Sequence, residues 1–113
     1  MSPRHTDFIP AEAAPVFAAL GDSTRLSLLS RLRDGRPRSV AQLTQGMGLT
    51  RQGVSKHLRV LEHAGMVNCE RVGRESRYVY EPAGIAEAAN YLERASKQWD
   101  QALARLKAAV ENE

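Results

Sequence analysis

The sequence predicts a mainly α-helical fold carrying one β-hairpin, in the order α-α-α-α-β-β-α. Three observations carry this expectation. The first half holds short apolar segments at helical spacing, separated by capping residues and glycines. After Gly65 the hydrophobic period changes to two, and after Ala83 it returns to steps of three and four along one uninterrupted stripe. A chain of 113 residues is close to the commonest size for one compact core, so a single domain spanning 1–113 is expected.

The segments follow in order. Pro10 to Leu20 reads as a first helix ended by Gly21, and Asp22 or Ser23 caps a second through Leu26, Leu28, Leu29 and Leu32, stopped by Asp34-Gly35 and Pro37. These two helices occupy 10–35. Ser39 caps a third, Val40 to Met47, with Leu43 and Met47 on its inner face. Gly48 permits a tight turn, Leu49 is expected to plug the core beneath it, and Thr50 caps a fourth helix, Arg51 to Ala64, built on Val54, Leu58 and Leu61. Residues 39–64 thus form two helices joined by a tight turn. Residues 66–81 form a hairpin: Val67, Cys69 and Arg71 alternate with Asn68, Glu70 and Val72, Gly73-Arg74-Glu75-Ser76 makes the tip, and Tyr78, Val79 and Tyr80 return, the tyrosines bracing it. The tail, 83–112, carries Ile85, Ala88, Leu92, Ala95, Trp99, Leu103, Leu106 and Val110 along one face. At 1.5 Å per residue such a helix is about 40 Å long, more than a domain of this size covers, so its far end is expected to pack on a second copy of the chain.

Composition narrows the function classes. Hydrophobic residues make up 42% and charged residues 26%, and no apolar run approaches the roughly 18 residues that cross a bilayer. The start, Met1 to Asp7, does not lead into a secretory signal, so a cytoplasmic protein without a membrane partner is expected. The one cysteine, Cys69, makes no internal disulfide and no thiolate cluster. No Ser/His/Asp set, phosphate-cradling glycine loop or paired acids can be assembled, which argues against an enzyme and gives no reason to expect a cofactor. Net charge is +3, and its distribution is uneven: Arg36 to Arg77 holds eight cations and three anions, whereas the segment from Ala83 onward holds four cations and five anions. Thirteen of the 16 cations are arginines, whose planar fork suits phosphate and guanine edges.

Two helices joined by a tight turn and followed by a charged hairpin make a winged helix-turn-helix. Its chemistry is major-groove reading of double-stranded DNA: a helix fits the groove, its first residues reach base edges, and its positive end favours phosphate. Arg51 is suited to guanine and Gln52 to adenine, Ser55, Lys56, His57 and Arg59 to base edges or backbone, and Arg74 and Arg77 on the wing to a minor groove or phosphate. Arg38, at the start of the same basic stretch, and Thr50 complete the candidate DNA-binding set. The competing reading is a winged helix used only for protein interaction, which would show no salt-sensitive DNA affinity.

The runs Phe17-Ala18-Ala19-Leu20-Gly21-Asp22-Ser23-Thr24-Arg25-Leu26, Ser39-Val40-Ala41-Gln42-Leu43, Leu49-Thr50-Arg51-Gln52-Gly53-Val54-Ser55-Lys56-His57-Leu58-Arg59-Val60-Leu61-Glu62 and Gly65-Met66-Val67 resemble the ArsR (ArsR/SmtB) family of bacterial transcriptional repressors, over roughly residues 15 to 82. The resemblance implies a homodimer that represses by binding an inverted-repeat operator, with the first and last helices at the dimer interface. On this chain that assigns Phe17, Leu92, Trp99, Leu103, Leu106 and Val110 to the interface. It also implies that Thr50, Arg51, Gln52, Ser55, Lys56 and His57 hold base-reading and phosphate positions. Many members sense metals through a Cys-x-Cys pair at the start of the third helix or His and Asp pairs on the last. Here the third helix begins Ser39-Val40-Ala41-Gln42-Leu43 and no His follows His63, so no metal site is expected. The alternative is a metal- or redox-responsive repressor with a non-standard site. His5 with Asp7 could join tail carboxylates across a dimer but reads as a polar tail; Cys69 could be a redox sensor but reads as a small buried hydrophobe. His57 is either a switch or a plain hydrogen bond to DNA, His63 suits the negative end of its helix, and Trp99 either lines a ligand pocket or is plain core. Ser23 stands where the family often has Pro, which changes the cap alone. Neither the existence nor the identity of an inducer, a protein or a small molecule, is written in the sequence.

Overall fold

The computed structural model describes the backbone of residues 10–112 and the side chains of residues 13–112. Its elements are α1 (Pro10–Leu20), α2 (Ser23–Leu32), β1 (Arg38–Ser39), α3 (Val40–Thr44), α4 (Arg51–His63), β2 (Val67–Val72), β3 (Glu75–Tyr80) and α5 (Pro82–Glu111). The winged helix-turn-helix order is the expected one, with one addition. The two residues before α3 pair antiparallel with β3, Arg38 opposite Tyr78 and Ser39 opposite Arg77, and make a third strand in the order β1-β3-β2. A two-residue strand has no alternation to read, so its pairing is fixed only by the tertiary fold.

The core gathers Val16 and Ala19 from α1, Leu28, Leu29 and Leu32 from α2, Leu43 from α3, Val54, Leu58 and Leu61 from α4, Met66 and Val67 after it, Tyr78 from the sheet and Ala88 from α5. Caps define the helix starts. Asp22, rather than Ser23, caps α2 by accepting the Arg25 N–H at 3.0 Å; Ser39 caps α3 in a reciprocal box with Gln42; Thr50 caps α4.

Several local expectations are corrected. The third helix stops at Thr44 rather than Met47, because Gln45 turns extended and Gly46 takes a positive φ of 75°. Its end is closed by Arg31 of α2, which donates to the carbonyls of Leu43 at 2.8 Å and Gln45 at 2.6 Å. Leu49 does not plug the core but stands 42% exposed, whereas Leu43 is fully buried and Met47 packs against the core. The fourth helix ends at His63, and Ala64 is its cap. The hairpin tip is the two-residue Gly73-Arg74, since Val72 already pairs with Glu75; Gly73 supplies the positive φ. Cys69 is exposed rather than buried, because β2 is the outer strand and only Val67 at its start reaches the core. Tyr78 goes further than bracing the wing: it is a core residue of the central strand, and burial pushes its phenol pKa up. The tail helix begins one residue early, at Pro82, whose fixed φ suits a first helical position, and runs to Glu111.

Candidate nucleic-acid interface

Helix α4 is divided lengthwise. Val54, Leu58 and Leu61 are fully buried, which seats the helix on α2, α3 and the start of β2. On the opposite face Arg51, Gln52, Ser55, Lys56 and Arg59, spaced by one, three or four residues, line one shallow hollow open to solvent. Thr50 Oγ1 accepts the Gly53 N–H at 3.0 Å, leaving other first-turn amides directed out of the helix end. Arg51, Gln52, Lys56 and Arg59 are exposed and form no hydrogen bond or ion pair among the described residues, so their donors are available to a ligand.

The remaining candidates divide by partner. Arg74 stands exposed at the wing tip with no ion pair among the described residues, whereas Arg77 Nε is 2.7 Å from Glu75 Oε1 on the same strand. Arg38 grips Asp34 through both terminal nitrogens, at 2.8 and 2.7 Å, and the contact holds the Asp34 carboxyl well below the ordinary carboxylate range while raising the guanidinium. An arginine so paired presents less net charge to phosphate than Arg51 or Arg74 does.

His57 lies on the flank of α4 that faces α2. Its Nδ1 is 3.2 Å from Arg25 Nη1 and 3.8 Å from Asp22 Oδ2, and the side chain is three-quarters covered. The same Arg25 guanidinium donates from Nε to the Ala19 carbonyl at 2.7 Å and from Nη2 to the Ala18 carbonyl at 3.1 Å, closing the end of α1. The Arg25 backbone N–H is the largest cause holding the Asp22 carboxyl below its usual pKa. Arg25 and Asp22 form a contact that sequence reasoning did not single out. Their positions were visible in the run Gly21-Asp22-Ser23-Thr24-Arg25, but nothing in spacing shows that an arginine reaches two other helices.

Of the expected interface residues, Leu92, Trp99, Leu103, Leu106 and Val110 lie exposed along α5, so Trp99 is not a core residue of the single chain, because α5 there runs beyond the elements that could cover it. Phe17 is half-buried against the core and packs its ring on Tyr91 of the same chain, centroids 6.0 Å apart. Flanking the place of the family's thiolate pair, Val40 packs on the core and Gln42 Oε1 accepts the Ser39 N–H at 2.8 Å in the capping box. Among the described residues no three His, Cys, Asp or Glu side chains converge as metal ligands; His5 and Asp7 lie outside the described residues. No described helix is long and apolar enough to cross a membrane.

Residues 20–70 match a protein family described as a helix-turn-helix domain. The chain is similar to a solved ArsR-like transcriptional regulator from Rhodococcus sp. RHA1, with 39% identity and a TM-score of 0.84 over 91% of this chain and 94% of that one. It is 34% identical over 96 residues to the HTH-type transcriptional regulator Rv2034 of Mycobacterium tuberculosis, covering 84% of this chain and 85% of the relative. It also resembles a homodimeric winged helix-turn-helix DNA-binding domain from Mycobacterium bovis, a possible ArsR-family regulator, with 26% identity and a TM-score of 0.60 over 84% of each chain.

Proposed function

The chain belongs to the ArsR family of winged helix-turn-helix, DNA-binding transcriptional regulators, and on that premise we propose that it is a homodimeric repressor that reads an inverted-repeat operator with α4 and does so without a metal ion. The observation that carries the reading is the outward face of α4, where Arg51, Gln52, Ser55, Lys56 and Arg59 line one hollow beside the Thr50-capped helix end. A helix start with unpaired cations is complementary to a major groove flanked by phosphates. Arg51 and Gln52, in the first turn, take the base edges; Ser55, Lys56 and Arg59 follow the groove wall; Arg74 at the wing tip takes the adjacent backbone. Arg38 and Arg77, each already paired with a carboxylate, serve as secondary phosphate contacts.

A homodimer is supported by the homodimeric relative from Mycobacterium bovis and by the exposed apolar stripe of α5. Repression follows from the same geometry, because a dimer covering an operator denies that DNA to other proteins. Metal independence is supported by the third helix start, Ser39-Val40-Ala41-Gln42-Leu43, which offers no thiol, and by Val40 and Gln42, which flank the place of the family's thiolate pair and are engaged in core packing and a helix cap.

The test is selection of duplexes from a randomised library by the full chain, followed by affinity measurements at two salt concentrations. An inverted repeat should emerge, and four phosphate contacts would cost about a hundredfold in affinity between roughly 50 and 200 mM salt. Salt-insensitive or absent binding would instead support a protein-interaction module. Adding zinc, nickel, copper(I) or arsenite to chelator-treated protein should leave the affinity unchanged; a change above about tenfold would overturn metal independence.

A further inference from the structure

We propose that His57 serves DNA binding as a positioning residue and not as a contact: through Nδ1 it accepts the Arg25 guanidinium, which locks the rotation of α4 to the end of α1. The inference rests on the reading of α4 as the DNA-reading helix and adds the device that sets its angle.

The geometry defines the chemistry. An arginine side chain is a donor only, so the ring nitrogen facing it must be the unprotonated one, which places the neutral ring's proton on Nε2. The guanidinium is planar, and three of its nitrogens are occupied at once, by Ala18 and Ala19 of α1 and by His57 of α4. Asp22 holds the base of this fork: it caps α2, accepts the Arg25 backbone N–H and lies 3.8 Å from the same Nδ1. Asp22 and Arg25 are the charged groups that face His57 among the described residues; α1 offers it no charge but only the carbonyls that hold Arg25.

Such a fork supplies what the core does not. Val54, Leu58 and Leu61 fix how deep α4 sits, yet apolar contacts are non-directional and set its rotation about its own axis only loosely. With side chains reaching about 5 Å from the helix axis, a turn of about 10° moves their tips by roughly 1 Å, enough to spoil a bidentate contact with a base edge. Directional bonds from a planar donor resist that rotation.

Two isosteres of histidine separate the positioning role from direct DNA contact. Asparagine places its carbonyl oxygen near the position of Nδ1, whereas glutamine reaches the position of Nε2. The probe is the duplex most enriched by the wild-type chain from a randomised library, with a scrambled duplex as reference and thermal unfolding to confirm that each variant is folded. His57→Asn should keep the selectivity of wild type within about threefold, and His57→Gln should lose about tenfold on the enriched duplex. Arg25→Lys, which keeps the charge but not the fork, should lose a similar factor there while leaving the scrambled duplex unaffected. On the Arg25→Lys background, His57→Gln should cost nothing further. If Arg25→Lys does not fold, the two His57 variants decide alone. The reverse order, with glutamine retaining and asparagine losing selectivity, would show that the ring touches DNA through Nε2 and would overturn the proposal. So would a full additional loss on the Arg25→Lys background, or no loss in any variant. Failure of the wild-type chain to enrich any duplex would remove the DNA-reading premise itself, an outcome separate from each of these.

Discussion

Arg51 and Gln52 differ from Arg74 in what each can discriminate. The first two sit in the opening turn of α4, where the proposed reading sets a forked donor or an amide against one base edge; Arg74 stands on the wing tip, suited to backbone oxygens that are the same in every sequence. Arg51→Ala or Gln52→Ala should therefore relax preference at single operator positions by about 1 to 3 kcal/mol, and Arg74→Ala should weaken all duplexes alike and flatten the salt dependence. Competition between cognate and single-base-changed duplexes reads the first effect, salt titration the second. Two carboxyls give a further expectation at this scale. The Asp22 and Asp34 carboxyls are both held below the ordinary carboxylate pKa, the first chiefly by the Arg25 backbone N–H, the second chiefly by the Arg38 side chain. The unfolded chain accordingly takes up protons first on acidification, so the stabilisation they supply is complete above the unfolded pKa and is lost as pH falls through and below it. The urea midpoint should drop between about pH 5 and pH 2.5, and Asp34→Asn should shrink that drop; an unchanged pH dependence in the variant would contradict the assignment. The outward placement of Arg51, Gln52, Ser55, Lys56 and Arg59 was legible because they occupy the polar face of a strongly patterned helix. The inward turn of His57 was not, since flank positions carry no period and the arginine that captures it lies 32 residues away.

At the scale of elements, caps and close approaches decide the boundaries. The second, third and fourth helices were readable from Asp22, Ser39 and Thr50, each of which caps its helix as a short polar side chain should. The early end of α3 was not readable, because the residue that closes it, Arg31, belongs to another helix. Strand β1 was likewise invisible, being two residues defined only by its pairing with β3. The junction of α5 with the turn after α4 offers a test. Gly84, in the first turn of α5, lies so close to that turn that an added Cβ would sit 2.7 Å from the Gly65 carbonyl oxygen and 3.1 Å from its carbon. Beside it the Glu81 N–H is bonded to the Met66 carbonyl at 3.0 Å, fixing the same approach. Alanine would favour an isolated helix by about 1 kcal/mol over glycine, but here the neighbour is backbone and cannot rotate away. Gly84→Ala should therefore destabilise the protein by about 1 to 3 kcal/mol, measured by urea unfolding, and a stabilised variant would show that α5 is free to shift.

The whole molecule is longer than its core requires. A compact chain of this length has a radius of gyration of about 13 Å, whereas this one measures 18.9 Å and extends 69 × 34 × 23 Å, because α5 continues past the other elements. Along the projecting part, Leu92, Trp99 and Leu106 recur every seven residues, as do Leu103 and Val110, the spacing suited to the proposed pairing of two such helices. Trp99 is 70% exposed and Val110 63%. Burying such side chains is worth about 1.5 to 3 kcal/mol each, so two copies pairing through this seam gain far more than scattered surface residues could. A two-fold pair would also set two α4 helices about 34 Å apart, one turn of DNA, which is what an inverted repeat demands. The expected outcome is a mass in sedimentation of twice 12.5 kDa at micromolar concentration. Leu103→Glu with Leu106→Glu should halve that mass without unfolding the core, since both side chains lie outside it, and should cost specific DNA affinity more than non-specific affinity. The asymmetry follows from linkage: a monomer keeps its phosphate contacts but must find each half-site alone, losing the effective concentration that a partner already bound supplies. A wild-type monomer that still reads an inverted repeat with full affinity would overturn this arrangement and leave the α5 seam to a different partner.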